Sequence, residues 1–455
     1  MLSISGANVR VMQKYSKIAR YWGRKIYEAT KVIFLNITGN IEGKVILDPF
    51  GGAGCIVLEA LRYGARTIYI DINPYAYLIA RVMLDWFDYE KLRLKAEKVL
   101  SRKKIIYQGL DGSTKYIGAD ELYTIEVQGV KKRVKYYEWI DDECCAVTFD
   151  GEKIRTSDFT EGEPYYQPPK YKLWYPWGEP FDKKRNYDWL HEFFTNRNLI
   201  ILTNIWHDIR PPKTISGKDT REHRAMTLIF LSILYMASKM ARRGAGSWGV
   251  NSYWVPRIHV EYNPYDLLRR KLKRILKMSP PLQYQAKTSG SIHSIPRVIR
   301  GKLHAAILHG DCTKILKHIS PNSIDYVVTD PPHADEVQYL ELSFFMNAWL
   351  RSNPYSWAID EVIVNRRKHK DFNTYIRMLT SAYKLIHNVL KPRGKMILIY
   401  HEESEQKLKE MIKAAEKAGF SLEKKLSGEM KYQRNIGDRN TLRGKIYWIL
   451  VYSKN

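Results

Sequence analysis

Apolar and polar positions alternate in two blocks that share one grammar. Residues 44–90 read as strand, glycine turn, helix and strand: KVILDP is a short apolar run, GGAG a breaker, CIVLEALRYGA a helix and RTIYIDI a second strand. The same grammar resumes near residue 303. LHAAILHGD and SIDYVVTDPP read as strands, FNTYIRMLTSAYKLIHNVL as a helix and KMILIYHE as a strand. SEQKLKEMIKAAEKAG follows as a charged amphipathic helix, then strand-like FSLEKKL and IYWILVY. Together the blocks predict one α/β domain with a mostly parallel sheet, split into residues 1–90 and 301–455 by an α+β insertion over 91–300.

The insertion changes character along its length. Residues 101–200 are rich in Tyr, Thr and Val with Gly-centred turns, which predicts a β-rich unit. Residues 221–300 carry 15 Lys and Arg against three acids. Here REHRAMTLIFLSILYMASKMARR and PYDLLRRKLKRILKM read as helices, the second with a basic face.

At 455 residues and 45% hydrophobic content, the chain can bury a large core. Its formal charge of +26 favours a polyanionic partner, nucleic acid first, because each phosphate contact releases condensed counterions. A Lys-rich surface that keeps a thermophile's protein soluble is the plainer reading. The four cysteines, Cys55, Cys144, Cys145 and Cys312, have no Cys-x-x-Cys spacing, so neither a disulfide framework nor a zinc ribbon is expected, and no metal site. No signal core or run of about 18 apolar residues appears, so the expectation is a cytoplasmic protein without a membrane span.

Asp48, Pro49, Phe50, Gly51, Gly52, Ala53 and Gly54 lie between an apolar strand and a helix, where glycines let the backbone approach a ligand at a sheet's carboxyl edge. A nucleoside cofactor is expected there, with Asp71 accepting from ribose hydroxyls. The distance from Gly54 to Asp71, and Val57 in place of a third glycine, argue against a nicotinamide. Thr329-Asp330-Pro331-Pro332-His333 ends another apolar strand. An exocyclic amine on adenine or cytosine is a poor nucleophile because its lone pair is delocalised. The Asp330 side chain and the Pro331 carbonyl could each accept one amino hydrogen, and His333 could stack on an extruded base. A plain strand-ending turn is the alternative. No cysteine follows a proline, which disfavours cytosine C5 chemistry. His401-Glu402 is either pocket lining or a polar turn.

DPFGGAG followed by DPPH resembles the motifs of amino-group DNA methyltransferases, and most of all the stand-alone adenine-specific DNA methylases of archaea and bacteria. YWGRK at 21–25, IDINPYA at 70–76, WGVNSYWVPRIHVEYNP at 248–264 and PPHADEVQYLELS at 331–343 carry the narrower likeness. The resemblance implies a class I methyltransferase, Rossmann-like, seven-stranded sheet and S-adenosylmethionine as cofactor. It implies DNA as substrate, methylated at adenine N6 or, less favoured, cytosine N4. An RNA base-amino methyltransferase and a non-catalytic nucleic-acid-binding protein on this fold are the alternatives. Asp48, Pro49, Phe50, Gly51, Gly52 and Gly54 would shape the cofactor pocket. Asp71 would bind the ribose, Asp311 would read the adenine, and Trp22, Arg24 and Lys25 would close the methionine end, with Ile72 and Cys312 also at the cofactor. Asp330, Pro331, Pro332 and His333 would hold the target base. His333 departs from the usual Tyr or Phe, and the zinc ribbon of many relatives is missing. Nucleic-acid contacts are expected from Arg242, Arg243, Trp248, Tyr253, Trp254, Arg257, Arg269, Arg270 and Lys273.

Overall fold

The structure is a computed structural model. It describes residues 18–19, 21–22, 27–102, 104–157, 162–181, 187–209, 220–243, 253–350, 353–402, 404–436 and 439–454. Arg24, Lys25 and Trp248 lie outside the described residues.

Eight strands form the main sheet: β1 (Val45–Asp48), β2 (Arg66–Asp71), β3 (Thr288–Ser289), β4 (Ala305–His309), β5 (Ile324–Thr329), β6 (Leu390–His401), β7 (Phe420–Ile436) and β8 (Arg439–Lys454). Their order is β3-β4-β2-β1-β5-β6-β8-β7. All neighbours are parallel except the pairs that β8 makes with β6 and β7. Eight strands replace the seven expected, because β3 has only two residues, too few for any hydrophobic period to announce it. The strands β4-β2-β1-β5-β6 keep the third-second-first-fourth-fifth order of doubly wound sheets. Their order therefore reverses between β1 and β5, where a crevice opens at the carboxyl edge.

Period-two alternation sends the strand residues to two buried faces. Val45, Leu47, Ile68, Ile70, Val327, Met396 and Leu398 pack against helices at Phe372–Val389 and Glu405–Glu416. Ile46, Val328, Ile397 and Ile449 face helix α1 (Cys55–Arg62) and the segment at 29–34.

The chain between β2 and β3 is not a separate lobe. Antiparallel strands at Lys104–Gly109, Thr114–Gly118 and Gly162–Pro164 form one small sheet. Strands at Thr124–Val127, Val130–Ile140, Glu143–Thr148, Lys153–Thr156 and Ile258–Glu261 form another. Their apolar residues share one continuous core with Tyr69 of β2, helix α2 (Pro74–Leu84) and helix α3 (Tyr339–Trp349). The helix expected over 221–243 is shorter, Arg221–Leu231, where the Ser232 hydroxyl donates to the Ile229 carbonyl at 2.7 Å and competes with the helical ladder. No helix among the described residues is long and apolar enough to cross a membrane.

A buried amide cluster locks α3 onto the start of α2. The Asn347 side chain donates to Asn73 Oδ1 (3.1 Å) and Ser343 Oγ (2.9 Å) and accepts from Tyr75 N (3.0 Å). Asn347→Ala removes three buried hydrogen bonds while Tyr75 N keeps Asn73 Oδ1 and Ser343 Oγ keeps Asn73 Nδ2, and thermal and urea unfolding should register a loss of about 1–3 kcal/mol.

Candidate active site

The glycine turn after β1 is fixed by side chains from two neighbouring strands. Asp48 is fully buried, and its Oδ1 accepts from Thr329 Oγ1 of β5 at 2.6 Å and from Phe50 N at 3.3 Å. A Cβ on Gly51 would stand 2.1 Å from the Tyr69 ring, whose hydroxyl donates to the Gly52 carbonyl at 2.6 Å. Gly54 has φ +80° and abuts Ala80 of α2, so the turn requires glycine there.

At the end of β2, the Asp71 carboxylate joins two loops. Oδ2 accepts from Gly52 N at 2.7 Å and Oδ1 from Asn73 N at 2.8 Å. A cleft opens beyond it. Pro49, Phe50, Gly52, Asp71, Ile72, Asp311, Cys312, Asp330 and Pro332 line it, so the residues expected to serve the cofactor and two of the expected catalytic residues share one wall. Asp48, Gly51 and Gly54 stand behind that wall and set the turn. Asp311 caps a short helix, its Oδ1 accepting from Thr313 N at 2.8 Å. Burial pushes the Cys312 thiol far up, so it lines the cleft as a neutral group.

Sequence reasoning missed Tyr21, Asn73, Tyr339 and the wall at Trp357, Asp360, Glu361 and Val362. Tyr21 stacks on Tyr339 at 5.6 Å and 22°. Burial, with Asp71 nearby, pushes the Tyr21 hydroxyl well up. Tyr21 and Tyr339 fall inside YWGRK and PPHADEVQYLELS, and their aromatic character was the available signal; the 357–362 wall carries no local pattern. Trp22 leans on Tyr75 and lines a second, larger cleft with Tyr175, Phe181, Tyr235, Tyr253, Glu336 and Gln338.

Asp330 lines the first cleft. His333 Nε2 lies 2.9 Å from Asp330 Oδ1, an ion-pair separation whose angles make no hydrogen bond, so this buried oxygen has no aligned donor. His333 Nδ1 accepts from the His401 backbone N–H at 3.2 Å, which assigns the proton of a neutral ring to Nε2, on the Asp330 side. The ring meets Tyr400 edge-on at 5.0 Å. His401 Nδ1 is 3.3 Å from Glu336, and Glu402 accepts from Ser404 N. The Pro332 carbonyl takes the Tyr375 hydroxyl at 2.5 Å. Pro331 is buried beside it and lines neither cleft.

A buried charge cluster joins this loop to the insertion. The Lys368 ammonium sits between Glu341 (3.0 Å) and Glu361, and the Tyr175 hydroxyl donates to Glu341. Two carboxylates share one ammonium, so burial pushes the Glu361 carboxyl up while Lys368 stays charged. Burial also brings Lys370 down to about 8; its ammonium donates to the carbonyls of Ala358, Ile359 and Glu361 and shapes the cleft wall.

Of the residues expected at nucleic acid, Tyr253 is buried, stacked on Phe345 at 5.3 Å, its hydroxyl donating to the Glu341 carbonyl at 2.5 Å. It stands in the wall of the second cleft. Arg242, Arg243, Trp254, Arg257, Arg269, Arg270 and Lys273 are exposed. Arg242 lies over the Trp254 ring, and Arg243, Arg257 and Arg269 face Glu138, Asp141 and Asp266. Among the described residues no cluster of His, Cys, Asp and Glu is placed to hold a metal.

No family model matches the chain. Over 62 residues it is 37% identical to the type II methyltransferase M.MjaII of Methanocaldococcus jannaschii, a match covering 14% of this chain and 12% of that protein. Among solved structures, a candidate DNA modification methylase of Thermus thermophilus, complexed with S-adenosyl-L-methionine, aligns over 32% of this chain and 53% of its own at 14% identity and a TM-score of 0.20. A candidate RNA methyltransferase of Pyrococcus horikoshii aligns over 41% and 69% at 14% identity and a TM-score of 0.19. Likenesses at these scores carry no argument about the function of this chain.

Lys368→Met would leave Glu341 and Glu361 buried without their shared cation. A loss of about 3–5 kcal/mol in unfolding free energy is expected, read by urea denaturation followed by tryptophan fluorescence.

Proposed function

We propose that the protein is an S-adenosylmethionine-dependent methyltransferase acting on an exocyclic amino group of a base in DNA, adenine N6 before cytosine N4. The observation that carries this reading is the pairing of two carboxylates in one cleft: Asp71 beside the glycine turn, and Asp330 with a buried oxygen that has no aligned donor.

The residues present fit the cofactor. Asp71 lines the cleft with its carboxylate held by Gly52 N and Asn73 N, a carboxylate of the kind that binds ribose hydroxyls. Tyr21, Phe50, Ile72, Tyr339 and Val362 offer apolar surface for a purine and a methylene chain, and Gly52 lets the backbone approach. When bound, S-adenosylmethionine supplies an electrophilic methyl group on a sulfonium.

Asp330 accepts a hydrogen of the target amine, which favours the pyramidal nitrogen with a localised lone pair; the Pro331 carbonyl, expected to take the other hydrogen, belongs to a residue that lines neither cleft. The carboxylate then takes the proton that the methylated nitrogen sheds. The motif's Asp favours adenine, since related cytosine enzymes often begin with Ser. The second cleft, open beside Glu336 and Gln338, gives an extruded base and its neighbours room to enter. The exposed cations at 242–273 and the overall charge of +26 suit a phosphate backbone.

The test is incubation with methyl-labelled S-adenosylmethionine and, separately, duplex DNA, single-stranded DNA and total RNA, with nucleosides identified by mass spectrometry. N6-methyladenine in DNA, reduced at least about 100-fold in Asp330→Ala, is the expected result. Label confined to RNA, or equal transfer by the variant, contradicts the reading.

A further inference from the structure

The His333 ring, expected to stack on an extruded base, is held by its edges. Nδ1 accepts from the His401 backbone N–H at 3.2 Å, and Nε2 stands 2.9 Å from Asp330 Oδ1. The Tyr400 ring meets it edge-on at 5.0 Å and 60°, and the His401 ring at 6.2 Å and 76°. A stacking ring needs an open face beside the base. His333 lines neither of the two clefts described above, whereas Asp330 and Pro332 of the same loop line the first.

The backbone around the ring is fixed as well. The Pro332 carbonyl accepts from the Tyr375 hydroxyl at 2.5 Å, the His333 carbonyl from Glu336 N at 2.9 Å and the Ala334 carbonyl from Val364 N at 3.0 Å. Ala334 sits at φ +43°, a left-handed conformation that alanine rarely adopts. Such strain persists only where the surroundings impose it, and it concentrates at functional sites. The two Asp330 oxygens also differ. Oδ1 is buried beside His333, which leaves Oδ2 as the oxygen for an amine in the cleft. With its proton on Nε2, the neutral ring brings a donor to hydrogen-bond distance of Oδ1; rotation, not approach, is all that separates the two groups from an aligned bond.

We propose that His333 is a positioning residue for Asp330 and not a stacking platform for the base: in the reacting complex its Nε2–H donates to Oδ1 and so aims Oδ2 at the target amine. The His401 backbone N–H selects the tautomer that makes this possible, because it occupies Nδ1 as an acceptor. A carboxylate that must meet one hydrogen of one amine gains from a donor on its other oxygen, since rotation about its Cβ–Cγ bond otherwise carries both oxygens off line. His333 keeps its own proton throughout, and the proton shed by the methylated nitrogen goes to Oδ2. This inference rests on the methyl-transfer reading given above.

The experiment compares the wild-type chain with H333F, which keeps a ring and removes the donor, and H333Q, which removes the ring and keeps an N–H at the reach of Nε2. Values of kcat and KM for methyl transfer to DNA are measured at saturating S-adenosylmethionine, and cofactor affinity by calorimetry. H333F should lose at least about tenfold in kcat with KM within about threefold of wild type, while H333Q recovers to within about threefold of wild-type kcat. Both variants should bind the cofactor within about threefold of wild type. Wild-type kcat in H333F, or an equal loss in both variants, overturns the inference and leaves the methyltransferase reading intact. A second readout needs no substrate. Long-range proton–nitrogen spectra of the chain labelled at its histidine nitrogens, with His333 assigned by its loss in H333Q, should show a ring protonated at Nε2 whose resonance shifts in D330A. A ring protonated at Nδ1, or an Nε2 resonance that D330A leaves unmoved, overturns the pairing. A wild-type chain that methylates no nucleic acid overturns the preceding reading, and the spectra then still decide whether His333 and Asp330 act as a pair.

Discussion

The hydrogen bond from Thr329 Oγ1 to the buried Asp48 carboxylate spans the point where the strand order reverses. It joins the ends of β1 and β5, and the loops that leave those two ends are the glycine turn and the Asp-Pro-Pro-His segment. A buried carboxylate requires partners, so the two loops cannot drift apart without exposing or orphaning it. One strand further out, Asp71 ties the glycine turn to the start of α2 through Gly52 N and Asn73 N. The cleft is therefore bounded by backbone held from several strands. That is the preorganisation a reaction needs when its reacting atoms must meet within a fraction of an ångström.

The insertion extends this rigidity to the far wall. Tyr175, Tyr235 and Tyr253 all direct hydroxyls at the first residues of α3, the helix that follows the Asp-Pro-Pro-His loop, and Lys368 holds Glu341 and Glu361 beneath them. Aromatic packing around Phe344, Phe345 and Trp349 makes the two parts one core.

The central strands were legible because a parallel sheet buried on both faces leaves unbroken apolar runs, as in VILD and IDYVVT, each ended by a glycine or proline turn. The cleft's inner wall was legible for the same reason: Asp48, Asp71, Asp311 and Asp330 all end apolar strands or follow them closely. What escaped lay elsewhere. The wall at Trp357–Val362 has no periodicity and is held by Lys370 donating to carbonyls, a tertiary arrangement that leaves no local trace. Tyr253, expected to contact nucleic acid, packs on Phe345 in the wall of the second cleft. The outer halves of β7 and β8 lack apolar alternation in the sequence, so only FSLEKKL and IYWILVY gave a strand signal.

In the proposed reaction the two cleft carboxylates divide the labour, Asp71 for the cofactor and Asp330 for the target amine. Calorimetric titration of S-adenosylmethionine into the wild-type chain, Asp71→Ala and Asp330→Ala tests it most directly. The account predicts that Asp71→Ala weakens binding by at least about tenfold, as the loss of a charge-assisted hydrogen-bond acceptor should, while Asp330→Ala binds within about threefold of wild type. Equal binding by Asp71→Ala and the wild-type chain, or loss of binding in Asp330→Ala alone, would contradict it.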